Sequence, residues 1–112
     1  KGQLNLTGAE IAFKQSIDLH AAPAVVTNLG NLYRQMGRED EALHCYNRAL
    51  KAAPSHLPAR INKGRALLAL SRLEEATTLY AGILDELPEH TNARIGLAQS
   101  LQRSGQHRAA TL

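Results

Sequence analysis

The chain repeats itself at an interval of 34 residues. Gly30, Ala42, Tyr46 and Pro54 return as Gly64, Ala76, Tyr80 and Pro88, and Asn28, Glu41, Leu50 and His56 as Asn62, Glu75, Leu84 and His90. A partial third copy follows: Ala59, Arg60 and Ile61 return as Ala93, Arg94 and Ile95, Leu67 as Leu101, and Ala76 as Ala110. Gly37, Ser71 and Gly105 form a series of small residues at the same interval. Upstream, Ala9, Phe13 and Ile17 stand 33 residues before Ala42, Tyr46 and Leu50. A period of this size points to a solenoid, in which each unit buries its apolar face on the next.

The apolar spacing within each copy is helical. Val26, Leu29 and Tyr33 share one helical face, as do Ala42, Leu43, Tyr46, Ala49 and Leu50. Gly37 separates these two segments, as a helix C-terminus requires, and Pro54 stops the second. The spacing predicts helices over 6–20, 23–36, 39–52, 57–70, 73–86 and 91–104, with a further stub from about 107. No strand alternation occurs. Aromatic residues make up 4 % of the chain and Trp is absent, so the core must be built mainly from Leu, Ala and Ile. Gly in a helix interior costs about 1 kcal/mol relative to Ala. The recurrence of Gly30 and Gly64 is therefore expected to serve close helix–helix packing, with Tyr33, Tyr46 and Tyr80 filling the space beside those contacts.

These residues resemble the tetratricopeptide repeat. The stretch Asn28–Gly37 is similar to the first helix of that repeat, and Glu39–Pro54 to the second. The match is carried by Leu29, Gly30, Tyr33, Gly37, Ala42, Tyr46, Ala49, Leu50 and Pro54. The next copy keeps Gly64, Ala76, Tyr80 and Pro88, but has Lys63, Leu67 and Ile83 where the family prefers Leu, Tyr and Ala. The resemblance implies an all-α, right-handed solenoid of antiparallel helix hairpins. It implies a single domain over 1–112: the second helix of a partial repeat (1–22), two repeats (23–56 and 57–90) and a partial repeat (91–112). It further implies a concave groove lined by the first helix of each hairpin, which takes up a peptide or partner protein.

In such a groove, Asn28 and Asn62 stand one repeat apart, and Asn31 lies beside them. An amide both donates and accepts, which suits it to the backbone of an extended peptide. The alternative is that these are ordinary family residues at partly exposed positions. Arg34, Arg65, Gln99 and Arg103 fall on the same helical surface and would make the groove basic. A guanidinium can hold a carboxylate through two parallel hydrogen bonds. The expected ligand is thus an acidic segment or a C-terminal carboxylate, against the alternative of a solvated basic face. Chaperone-binding members of the family hold a terminal dicarboxylate with five side chains. Asn31 and Asn62 fit that pattern, but Thr27, Asn92 and Gly96 stand where it has Lys, Lys and Arg.

Other chemistries have little support. His56 and His90 are explained as inter-repeat turn residues, and His44 beside Cys45 has no ligand-spaced partners, so no metal or cofactor is expected. Cys45 lacks an identifiable base and is expected to be a small packing residue. A single Cys excludes an internal disulfide and is compatible with a reducing compartment. The net charge of +3 is too modest, and stacking aromatics too few, for nucleic acid. No apolar run approaches a membrane span. Arg60, Lys63 and Arg94 occupy positions that are often apolar in the family; they either pack their stems along the hairpin or form a second basic face.

The leading reading is a non-catalytic interaction scaffold. The runner-up is a recognition segment of a larger enzyme such as a glycosyltransferase or sulfotransferase. The chain starts at Lys1 and shows no polar cap, so it is expected to belong to a longer array or to self-associate through an exposed end.

Overall fold

A computed structural model describes residues 22–111, with side chains through Gly105. Its elements are α1 (Pro23–Gln35), α2 (Glu39–Ala52), α3 (Leu57–Ala69), α4 (Leu73–Glu86) and α5 (Thr91–Thr111). The helix expected over 6–20 lies outside the described residues. The fold is an all-α solenoid.

The repeat in the sequence becomes a repeat in the turns. Pro23 and Pro58 occupy the first turns of α1 and α3, where a missing N–H costs nothing. After α1, the Arg38 N–H donates to the Tyr33 carbonyl at 2.9 Å and the Gly37 N–H to that of Arg34 at 3.0 Å. After α3, Arg72 and Ser71 repeat the pattern on Leu67 and Leu68, at 2.9 and 3.0 Å. This double bond pattern closes a helix through one left-handed residue, ordinarily glycine. Gly37 meets that demand at φ +76°, whereas Ser71 holds φ +59° with a side chain. Glu39, Asp40 and Glu41 open α2, and Glu74 and Glu75 open α4, which places negative charge at the positive ends of the helix dipoles. Arg38 chelates Glu41, and Arg72 does the same to Glu75, with both hydrogen bonds of the latter pair at 2.8 Å.

Helix α5 departs from expectation. It runs unbroken through Gly105 to Thr111, where a stop near 104 and a new stub from 107 were predicted. Gly105 is tolerated either in a turn or in a helix, and no side chain crowds it. The Gln, Arg and Ala residues that follow it are good helix formers.

Each helix packs on the next. The inner helices also touch, α1 on α3 and α3 on α5, whereas α2 and α4 are splayed apart. Such a stack bends with α1, α3 and α5 on its inner side. The core holds Leu29, Tyr46, Leu67, Tyr80 and Ile83, with Ala42, Ala49, Ala59, Ala66, Ala76 and Ala93 at the close helix approaches. Cys45 is buried among them. Tyr33 and Leu67 are 3 % and 2 % exposed, but Leu101, their counterpart on α5, is 54 % exposed. Among the described residues no outer helix covers α5.

The glycines act differently from the helix-to-helix contact that the sequence suggested. A Cβ on Gly30 would stand 2.6 Å from the Tyr46 ring, and one on Gly64 would stand 2.4 Å from that of Tyr80. The tyrosines lie directly over the glycines instead of beside them. Gly96 has the same duty: its Cβ would meet the Tyr80 ring at 2.3 Å. The Tyr80 ring is therefore clasped between Gly64 of α3 and Gly96 of α5.

Candidate functional site

The inner helices share one charge sign. Helices α1, α3 and α5 contain no Asp or Glu at all, and carry Arg34, Arg60, Lys63, Arg65, Arg94 and Arg103. The acidic residues of the described segment lie on α2, on α4 and at Glu89. Some of this positive charge is answered locally. Arg60 donates to Glu86 at 2.7 Å with its stem largely buried, which makes it part of the hairpin surface. Lys63 lines a mixed cleft with Glu74 and Glu75. Arg94 is exposed, and Arg34, Arg65 and Arg103 face the inner side.

Two clefts lie there. One, of about 510 Å³, is lined by Arg34, Arg65, Leu68, Gln99, Gln102 and Arg103. The other, of about 280 Å³, lies between the starts of α3 and α5 and is lined by Leu57, Pro58, Ile61, Asn62, Arg65, His90 and Asn92. Arg65 belongs to both. The His90 ring Nδ1 accepts the Ala93 N–H at 3.2 Å and so caps α5 beside the smaller cleft.

The predicted site residues divide by what already holds them. The Tyr46 hydroxyl donates to Asn31 Oδ1 at 2.6 Å. Arg34 Nη1 reaches Asn62 Oδ1 at 3.5 Å, the outer limit of a hydrogen bond. Arg34 Nε stands 3.6 Å from Glu39 Oε2, and both atoms are buried without a hydrogen bond. That pair is a charge contact held just beyond hydrogen-bond reach. Burial pushes the Tyr46 hydroxyl up to about 12, although Arg34 beside it acts in the opposite sense.

Arg103 is held on the protein. Its Nη1 donates to the Leu68 carbonyl at 2.7 Å and its Nη2 to Ser71 Oγ at 3.3 Å. It thus caps the C-terminus of α3, where a cation is favoured by the helix dipole. Gln99 is exposed on the cleft wall, and Asn28 is exposed without a hydrogen bond among the described residues. Arg65 is exposed and has no hydrogen bond or ion pair there. Among the described residues, no group of three or more His, Cys, Asp or Glu side chains is placed to hold a metal, and no helix is long and apolar enough to cross a membrane.

Two participants went unnoticed in the sequence. The Tyr80 hydroxyl end sits between Gly64 and Gly96, next to Arg65, and burial again raises its pKa while Arg65 and Arg34 oppose. Gln102 lines the larger cleft. Aligning the copies exposes the reason: Asn31 is replaced by Arg65, and Asn62 by Gly96. The absence of acid from alternate helices was also countable once the helix bounds were drawn.

The family model for the tetratricopeptide repeat matches residues 27–91, more than half of the chain. The chain belongs to the tetratricopeptide-repeat family. Among solved structures, it is similar to the first tetratricopeptide-repeat domain of Spaghetti (RPAP3) bound to the HSP90 peptide SRMEEVD. The identity is 25 % and the TM-score 0.80, over 93 % of this chain and 83 % of that one. No curated protein matches it. Of the five positions that resemble the clamp of chaperone-binding tetratricopeptide repeats, Asn31 and Asn62 keep the expected residue type, and Thr27, Asn92 and Gly96 do not. Thr27 is buried and its hydroxyl donates to the Pro23 carbonyl at 2.8 Å. Gly96 lies under Tyr80, and Asn92 is exposed in the smaller cleft.

Proposed function

We propose that this tetratricopeptide-repeat chain is a non-catalytic interaction module that holds an extended, acidic segment of a partner protein along α1, α3 and α5. The single observation behind this reading is the charge segregation: the inner helices carry Arg and Lys and no acidic residue. The clefts that contain Arg34 and Arg65 lie on that side. The related domain of Spaghetti is recorded with a peptide that includes two adjacent glutamates, which agrees with this chemistry. In this reading Asn28 and Asn62 bond the peptide backbone, and Arg34, Arg65, Gln99 and Arg103 meet its side chains. Arg103 contributes field while it remains on the α3 terminus.

The test is calorimetric titration with capped hexaglutamate and capped hexaglutamine. Hexaglutamate is expected to bind in the micromolar range, about −8 kcal/mol, and to weaken as salt rises. An Asn28→Ala/Asn62→Ala/Arg65→Ala variant is expected to lose this binding. Equal affinity for the two peptides, or indifference to salt, would overturn the reading.

A further inference from the structure

The two complete repeats finish their tyrosines differently. Tyr46 is closed off: its hydroxyl is bonded to Asn31, and Arg34 bridges to Asn62 across the same place. Tyr80 is left open. The residue matching Asn31 is Arg65, and the residue matching Asn62 is Gly96, which has no side chain to cover the ring. Tyr80 is 1 % exposed, and its hydroxyl makes no hydrogen bond among the described residues; its oxygen is not one of the fully buried polar atoms left without a partner, so it keeps a narrow contact with solvent. A hydroxyl that touches solvent and donates to no protein group is free to donate to an acceptor on a ligand. Arg65 stands beside it with its guanidinium uncommitted and lines both inner clefts.

We propose that Arg65 and the Tyr80 hydroxyl, beside Gly96, form a subsite for one side-chain carboxylate of a bound acidic peptide. This rests on the reading above and names the anchor within it. The ligand must be an acceptor with negative charge, because both protein groups donate: Arg65 has no acceptor, and the tyrosine proton is held by burial. A side-chain carboxylate fits better than a terminal one because the clefts continue on both sides of Arg65. A chain lying along them passes over this point without ending there. The anchor thus moves from the family's clamp positions Thr27, Asn92 and Gly96 to the middle of α3.

The experiment uses the full chain labelled with ¹³Cζ-tyrosine, and three probes: capped hexaglutamate, capped hexaglutamine, and a hexaglycine with a free C-terminal carboxylate. Hexaglutamate is expected to move the Tyr80 resonance and leave Tyr46 nearly in place. Arg65→Gln is expected to weaken hexaglutamate about tenfold and Tyr80→Phe about three- to tenfold. Arg48→Gln, which removes the same charge from the outer helix α2, is expected to change the affinity less than twofold. Full-affinity binding by both Arg65→Gln and Tyr80→Phe would overturn the subsite and leave the acidic-peptide reading standing. Equal losses in Arg48→Gln and Arg65→Gln would reduce it to general charge attraction. A Tyr80 shift with free-carboxylate hexaglycine as large as with hexaglutamate would overturn the choice of a side-chain group. No binding of hexaglutamate by the unaltered chain would overturn both proposals together.

Discussion

Tyr46 and Tyr80 occupy equivalent positions one repeat apart, but their surroundings are opposites. Around Tyr46 the polar groups bind one another: hydroxyl to Asn31, Arg34 to Asn62, and Arg34 near Glu39. Around Tyr80 the ring is gripped by two glycines, while the hydroxyl and Arg65, close enough to interact electrostatically, make no hydrogen bond among the described residues. The first tier is finished within the protein and contributes rigidity. The second carries the same tyrosine in a tighter grip, with its polar end bonded to no group among the described residues. Within one repeat family, two substitutions, Asn to Arg and Asn to Gly, separate a structural network from a candidate binding point.

The sharpest way to break this comparison is to refill the glycine gaps. Gly64→Ala and Gly96→Ala each push a methyl into the Tyr80 ring, which cannot retreat because the other glycine holds its far side. Each is expected to destabilise by about 2–3 kcal/mol, as overpacking does. Gly30→Ala meets a ring clasped by a glycine on one side only, and its cost is partly offset by the better helix propensity of Ala, leaving about 1 kcal/mol. Urea unfolding midpoints of the three variants decide this; equal losses at all three positions would show that the two rings are held alike.

The hydroxyls give the next difference. Tyr46→Phe removes a bonded donor and leaves Asn31 without its partner, an expected loss of about 1 kcal/mol. Tyr80→Phe removes a hydroxyl that bonds nothing among the described residues and is expected to be close to neutral. A related effect follows from ionisation. The folded Tyr46 pKa, about 12, lies above its ordinary 10.0, so the folded state holds this proton more tightly than the unfolded chain. The corresponding stability is complete below pH 10 and is lost as pH rises from about 10 towards 12. Absorbance at the tyrosinate band during alkaline titration is expected to show this late ionisation in the parent, with one late group fewer in Tyr46→Phe.

The smallest difference lies in the turns. Gly37 and Ser71 both hold left-handed backbone, but only Ser71 carries a Cβ there. Gly37→Ala is expected to cost about 1 kcal/mol and Ser71→Gly to gain somewhat less, because the Arg103 contact to Ser71 Oγ is lost. Thermal midpoints moving in the same direction for both would contradict this account of the turns.

Much of the fold was legible because its cause is local and repeated. The predicted range 39–52 and the observed α2 coincide, as do 73–86 and α4, since acidic first turns and prolines mark these ends in the chain itself. Gly105 misled because glycine allows a turn without requiring one. The role of Gly30 and Gly64 was legible as close packing, but its partner, a tyrosine ring from the neighbouring helix, depends on tertiary geometry. Arg34, Arg65, Gln99 and Arg103, grouped by helical spacing in the sequence, line one cleft. That Arg103 would cap α3 while Arg65 stays uncommitted was invisible, because both are arginines on inner helices. The difference is whether a carbonyl from a helix 35 residues earlier comes within reach.

The most direct test follows the arginine side-chain Nε–Hε signals during titration with capped hexaglutamate. The account predicts that Arg65 moves most, Arg34 less, and Arg103 little, with Arg48 on α2 unchanged. A response led by Arg48, or spread evenly over inner and outer helices, would contradict the claim that the acid-free inner face is where this protein meets its partner.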